Sequence, residues 1–414
     1  MMYGSGDGNV SETVASDQWP VSSKQKAEGG RQKAEGRKRK AAGSNRPEHE
    51  CFLLRSPTAY CLLPTAYCLL PTADCRLPSA VYCLLFTLYS SSMKAIQVSQ
   101  VGGPEVLTLV DLPVPNPKPN EALVQVEAAG VNFIDVYFCE GRYPAPLPFV
   151  NGQEAAGLVV AVGSDVTTLR LGDRVAYTGS LGSYAEYAAV AVDRLVKIPD
   201  ELDFNQAAAA MLQGMTAHYL SHSTYPIKSG DAVLIHAAAG GVGLLLVQMA
   251  KQLGARVIGT AGSPAKAQLA RDAGADDVII YTEQDFETET QRLTEGKGVQ
   301  VVYDGVGKDT FTKDLNVLSP RGYLVLFGGA SGAVPPFDLL ELTKHGSLFV
   351  TRPSLQHYVA TREELEQRAN DILGMIVRGD LKLRIHKVYP LEDVRQAHHD
   401  LGGRKTTGKL LLIP

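Results

Sequence analysis

The sequence predicts an α/β fold in which a doubly wound parallel sheet is joined to a mainly β domain. Two observations carry this. From about residue 216 to 354, short apolar runs alternate with helical patterns, as strands feeding crossover helices do. From 93 to about 215 the runs are irregular and β-like, punctuated by Gly and Pro.

Taken in order, Met93–Val98 reads as a strand, and Gly102-Gly-Pro-Glu-Val-Leu107 as a turn into another. Prolines at 113, 115, 117 and 119 mark an extended loop. Residues 121–126 alternate as a half-buried strand, and 157–163 and 173–177 continue the β pattern. Strands are then predicted at 232–236, 256–259, 278–280, 300–304, 323–327 and 347–351. Helices are predicted at 241–253, 264–273, 284–294, 309–317 and 337–344. A final α+β piece, 355–414, ends in the apolar run Lys409-Leu-Leu-Leu-Ile413, which could return to the first domain.

The most specific local signal is His236-Ala-Ala-Ala-Gly-Gly-Val-Gly243, set between the apolar run 231–235 and the helical pattern 244–253. A glycine-rich turn between strand and helix lets backbone approach a pyrophosphate, and the helix N-terminus offers it free N–H groups. Ala238, Gly240 and Gly243 stand at the three glycine positions of this dinucleotide fingerprint. The acidic residue expected about 20 positions on, for an unphosphorylated ribose, is absent. Gly259-Thr-Ala-Gly-Ser-Pro-Ala-Lys266 stands there instead. Small residues, a hydroxyl and a lysine accept a 2′-phosphate that a carboxylate would repel. This favours NADPH over NADH, although Lys266 also reads as a solvated residue at a helix start.

Composition narrows the class. The chain has 414 residues, 45% of them hydrophobic, with net charge −4. That leaves no basic excess for nucleic acid as main partner. No uninterrupted apolar run reaches 18 residues, which argues against a membrane span. Five of the six cysteines lie before residue 84, leaving Cys139 alone in the body. A single cysteine forms no internal disulfide and fits a reducing cytoplasm.

Residues 1–92 look foreign to this pattern. Two seven-residue repeats dominate, K-Q-K-A-E-G-G and its copies from Lys24 to Ser44, and L-L-P-T-A-Y-C and its copies from Leu62. Codons for the first can be chosen whose reverse complement nearly encodes the second. We therefore expect 1–92 to be translated repetitive DNA, or a disordered extension, with Met93 as the true start. A transit peptide would be amphipathic and poor in acid, and a metal tail would pair its cysteines closely.

From Met93 to Pro414 the chain resembles the medium-chain dehydrogenase/reductase superfamily, and within it the zinc-free, ζ-crystallin-like quinone oxidoreductases. The strings that carry the likeness are Gly102-Gly-Pro-Glu-Val-Leu107, Gly130-Val-Asn-Phe-Ile-Asp135, Ala237–Gly243, Val302-Tyr-Asp-Gly-Val-Gly307 and Val350-Thr-Arg-Pro-Ser354. The resemblance implies a GroES-like β domain, 93–216 with 355–414, around a Rossmann domain, 217–354. It implies NADPH in the interdomain cleft and a homodimer, which edge-to-edge pairing of 347–351 could build. Zinc alcohol dehydrogenases place Cys where Asn132 stands and His where Gln153 stands. Without that ligand set no metal is expected, and Cys139 reads as a buried small residue.

The same resemblance assigns site residues. Asn132, Asp135 and Tyr143 would be catalytic, with Asn132 and Phe133 also against the cofactor. Tyr143 would stack on substrate or donate to a developing oxyanion; packing on neighbouring prolines is the alternative. Gly240, Gly241 and Val242 would meet the pyrophosphate. Gly262, Ser263, Lys266 and Tyr281 would lie at the adenosine phosphate. Gly328, Gly329, Ser331 and Gly332 would grip the nicotinamide half, with Thr351, Arg352 and Pro353 on its carboxamide side. Gln213 stands where relatives often carry a cofactor-contacting lysine. His398 and His399 are expected at the surface.

The implied activity is zinc-independent hydride transfer from NADPH to a quinone. The alternatives are an NADPH-dependent reductase of activated alkenes, such as 2-enoyl thioesters or alkenals, and a non-catalytic NADPH- or RNA-binding crystallin-like protein.

Overall fold

The computed structural model of this chain describes residues 92–414. The expectations for residues 1–91 lie outside them. Strands β1 (Ser92–Val98) and β2 (Leu107–Pro113) pair antiparallel, and β4 (Phe149–Val150) joins the other side of β1. A larger sheet contains β3 (Glu121–Val131), β5 (Glu154–Val162), β6 (Arg174–Thr178), β7 (Tyr187–Ala191) and β8 (Val196–Lys197). Helix α1 (Phe133–Cys139) follows β3, and α2 (Phe204–Tyr219) follows β8.

β3 is less half-buried than its alternation predicts, because Ala122, Leu123 and Val124 are all inside. Both faces of the strand are covered. Ala207–Ala210 of α2 share one apolar cluster with Ala128, Ala156 and Ala176 of the sheet. Val124, Val126, Ala129 and Val131 join a second cluster with Tyr177 and Leu195. The small side chains on both partners let helix and sheet pack closely.

The next segment is wound around a six-stranded, all-parallel sheet. Its strands are β9 (Ala232–Ile235), β10 (Arg256–Ala261), β11 (Asp277–Ile280), β12 (Val299–Asp304), β13 (Leu318–Leu326) and β14 (Phe349–Thr351). The helices between them are α3 (Gly241–Gln252), α4 (Pro264–Asp272), α5 (Phe286–Leu293), α6 (Phe311–Val317) and α7 (Leu340–Lys344). The spatial order is β11-β10-β9-β12-β13-β14, which is the doubly wound order with its reversal between β9 and β12. Each expected strand and helix of this segment is present, with ends shifted by a few residues.

The chain then forms α8 (Leu355–Tyr358), α9 (Arg362–Val377), β15 (Ile385–Pro390), α10 (Val394–Gly402) and β16 (Lys409–Ile413). β16 pairs antiparallel with β3, placing Leu410 opposite Val131 and Leu412 opposite Ala129. A single bridge between Gly240 and Gly408 also brings β16 against the glycine turn. That return joins the sheet of β3 to the glycine turn of the six-stranded sheet.

Candidate active site

The cleft lies where Ile235 and Asp304 end their strands, the place at which a doubly wound sheet leaves a crevice. Its volume is about 560 Å³. The nucleotide-like end is built by the turn after β9. Ala237 is left-handed, with φ 50°. Gly240 caps α3, and no side chain caps that N-terminus. A Cβ on Gly243 would lie 2.3 Å from the Ala237 carbonyl oxygen, so only glycine allows the helix to start this close to the strand. Gly240, Gly241 and Val242 line the cleft.

Gly262, Lys266 and Tyr281 line its far end. Ser263 does not; its hydroxyl turns back to accept the Lys266 N–H at 3.4 Å, capping α4. Arg404, which sequence reasoning missed, lines the same end. Its carbonyl accepts Lys266 Nζ at 2.5 Å, and its guanidinium lies 3.6 Å from Asp309. The signal was the glycine-flanked basic pair Arg404-Lys405, which means little until β16 carries that loop across the cleft.

Beneath the turn, His236 Nε2 meets Asp314 at 2.8 Å and Nδ1 meets the Thr260 hydroxyl at 3.0 Å. Burial lifts the Asp314 carboxyl to about 7. Burial opposes a charge on His236, but the Asp314 carboxylate outweighs it and raises the imidazole.

At the opposite end Asn132, Phe133, Tyr143 and Gln213 line the cleft. Asn132 is fully engaged. Its Nδ2 donates to Glu154 at 2.9 Å and to the Gly130 carbonyl at 3.2 Å, while its Oδ1 accepts from Lys409 at 2.6 Å. Lys409 Nζ also donates to Glu154, with both side chains almost wholly buried. A Cβ on Gly130 would come 2.2 Å from the Glu154 carboxylate. Nothing local marked Lys409 or Glu154.

Asp135, expected to be catalytic, is a correction. It is fully buried and does not border the cleft. Its carboxylate accepts the Asn132 N–H and the Tyr184 hydroxyl, each at 2.8 Å. As the third residue of α1 it turns inward to close the helix end. His398, expected at the surface, is buried at 2% exposure, 3.3 Å from the Tyr184 hydroxyl; His399 is exposed.

The glycine loop after β13 is divided. Gly328, Arg352 and Pro353 line the cleft, whereas Gly329, Ser331, Gly332 and Thr351 do not. The Gly329 N–H donates to the Tyr137 hydroxyl at 3.1 Å, and its carbonyl accepts Arg142 at 3.2 Å. The Ser331 hydroxyl donates to the Val306 carbonyl at 2.8 Å. Thr351 is paired with Val325 in the sheet. These residues brace the loop rather than face the cavity.

Residues 118–200 match the family described as alcohol dehydrogenase GroES-like domain, and residues 241–371 that described as zinc-binding dehydrogenase. The chain is 48% identical over 323 residues to a quinone oxidoreductase of Pseudomonas aeruginosa, covering 78% of this chain and 99% of that protein. The chain belongs to the quinone oxidoreductases of the medium-chain dehydrogenase/reductase superfamily. Another relative, a 2-haloacrylate reductase of a Burkholderia species, is 41% identical over 329 residues, 77% of this chain and 98% of that one. The solved structure of Escherichia coli quinone oxidoreductase complexed with NADPH aligns with TM-score 0.76 and 46% identity, over 78% of this chain and all of that one. The GroES-like and Rossmann parts of this family thus correspond to the larger sheet built on β3 and β5 and to the six-stranded parallel sheet. In this member of the superfamily, amides occupy positions 132, 153 and 213 of the cleft. Among the described residues no three His, Cys, Asp or Glu side chains cluster as a metal would require.

Proposed function

We propose that this chain is an NADPH-dependent quinone reductase that transfers hydride without a metal. The observation that carries the reading is the pairing of an uncapped helix N-terminus with Lys266 and Arg404 at the far end of one cleft. The residues fit the cofactor. Gly240, Gly241 and Val242 present backbone to a pyrophosphate. Lys266 and Arg404, with no carboxylate at the end of β10, suit a 2′-phosphate, and Tyr281 borders that pocket. Phe133, Gly328, Arg352 and Pro353 flank the nicotinamide half.

Bound NADPH would supply the hydride. The chain's own work is to position and to exclude water. Tyr137, Tyr143, Tyr219 and Phe327 give the substrate end aromatic walls suited to a flat ring. Tyr143 packs edge-on against Tyr137 and Phe138 with centroids 5.8 and 5.7 Å away. Asn132 serves as a fixed wall, since Lys409 and Glu154 hold its amide. The amides at 132, 153 and 213 are poor zinc ligands, which supports metal-free transfer.

The working unit is 93–414, a reading supported by relatives matched over 98–99% of their length by 77–78% of this chain. We place it in the cytoplasm, as the buried, free Cys139, the one cysteine among the described residues, suggests, and as a homodimer through the edge strand β14.

Steady-state rates of the purified chain with NADPH, NADH and a panel of 1,4-benzoquinones and enones test the reading. Quinone turnover with NADPH preferred is expected, and Lys266→Glu should sharply reduce that preference. The 2-haloacrylate reductase relative favours activated alkenes as a second reading. Negligible quinone turnover beside rapid enone reduction would establish it instead.

A further inference from the structure

Three buried amides reach the substrate end of the cleft, and two of them are held by hydrogen bonds. Asn132 is held by Lys409, Glu154 and the Gly130 carbonyl. Gln213 Nε2 donates to the Ala209 carbonyl at 2.6 Å. Gln153 is different. It is 3% exposed, lines the cleft, and its amide makes no hydrogen bond among the described residues. Beside it, Thr178 also lines the cleft, and its inaccessible hydroxyl has no partner either. The Gln153 amide thus opens on the cleft without a protein partner, which leaves it to pair with whatever binds there.

The backbone around Gln153 is held firmly. Its carbonyl accepts the Gly179 N–H at 2.9 Å. The next residue, Glu154, faces Thr178 in the β5–β6 register and is locked by Lys409 and by the Leu212 N–H at 2.5 Å. The corner carries little net charge, because the Lys409 ammonium is matched by the Glu154 carboxylate. Phe133, Tyr137 and Tyr219 supply apolar surface nearby. A neutral donor in a neutral, aromatic corner suits a conjugated carbonyl oxygen better than a carboxylate.

Resting on the proposed quinone reductase reading, we infer that Gln153 is a catalytic residue whose amide N–H receives the carbonyl oxygen of the substrate. Hydride from bound NADPH would form an O–H bond at the distal quinone oxygen and move an electron pair through the ring onto the oxygen held by Gln153, which then takes a proton from water; the coenzyme is oxidised and the quinone becomes hydroquinone. A donor meeting that oxygen stabilises the charge as it develops. Thr178 bounds the same subsite.

The test uses the full chain with Gln153→Leu, which removes the donor at similar volume, and Gln153→His, which keeps an N–H. Three quantities are measured: NADPH affinity by fluorescence, kcat and KM for 1,4-benzoquinone, and calorimetric affinity of benzohydroquinone for the NADP⁺ complex. We expect Gln153→Leu to lower kcat about 10²-fold, to weaken hydroquinone binding, and to leave NADPH affinity unchanged. Gln153→His should recover most of the loss. If Gln153→Leu does not fold, the isosteric Gln153→Glu replaces it. Unchanged kcat and hydroquinone affinity overturn the inference. So does a parallel loss of NADPH affinity that histidine fails to rescue, which marks a merely structural residue. If the wild type reduces no quinone, the functional reading falls on its own. The hydroquinone affinities then decide the role of Gln153: weaker binding by the leucine variant supports it, and equal or absent binding overturns it.

Discussion

Lys409 and Glu154 are nearly inaccessible to water, and each is tolerated because the other is there. Burying one ionised group alone is expensive, whereas a buried pair with satisfied hydrogen bonds comes close to break-even. Here the pair is completed by Asn132 and by the Leu212 N–H. Lys409→Met should therefore cost about 3–5 kcal/mol, since it leaves Glu154 buried and unpaired. The double variant Lys409→Met with Glu154→Leu should lose much less. Urea unfolding of the single and double variants checks this, and a double variant as unstable as the sum of its parts would refute the coupling. At this scale the sequence was partly legible. Asn132 was visible within the Gly130–Asp135 string, but its partners lie 22 and 277 residues away.

Helix α1 shows how an element recruits residues that look catalytic. Asp135 closes its N-terminus by accepting the Asn132 N–H, so it must point back into the domain. Burial raises its carboxyl from 3.8 to about 7, against the lowering by bonds from the Tyr184 hydroxyl and the Asn132 N–H. Below about pH 4 the folded and unfolded states both hold this proton. As pH rises toward 7 the unfolded chain releases it first, so the folded state binds more protons and its stability falls. Above about 7 the contribution is lost. Asp135→Asn should flatten its share of that decline, leaving the share of Asp314, which is also raised to about 7. Urea titrations at several pH values between 4 and 8 measure it; an unchanged slope would contradict the assignment. The glycine turn, by contrast, was readable in advance, because strand, turn and helix are contiguous and their spacing alone brings Gly240 and Gly243 to the strand end.

For the whole molecule, the decisive feature is an open sheet edge. β14 ends the six-stranded sheet, and Phe349 on it is half exposed, with Leu339 and Leu340 more exposed still. Free strand edges with apolar flanks pair readily with a copy of themselves. In line with the proposed dimer, light scattering should give twice the chain mass, and Phe349→Asp should lower it to one. A monomeric wild type would remove the proposal. No helix among the described residues is long and apolar enough to cross a membrane.

The sequence by itself determined the doubly wound segment and the dinucleotide turn, because periodicity and turn chemistry act over a few neighbouring residues, and the resemblance of its motifs pointed to the superfamily. Only the tertiary structure decided that Asp135 faces inward, that His398 is buried, and that Lys409 crosses 255 residues of sequence to Glu154. It alone left the Gln153 amide without a partner. Such outcomes depend on which distant groups share a space once water is excluded, and no local pattern encodes that.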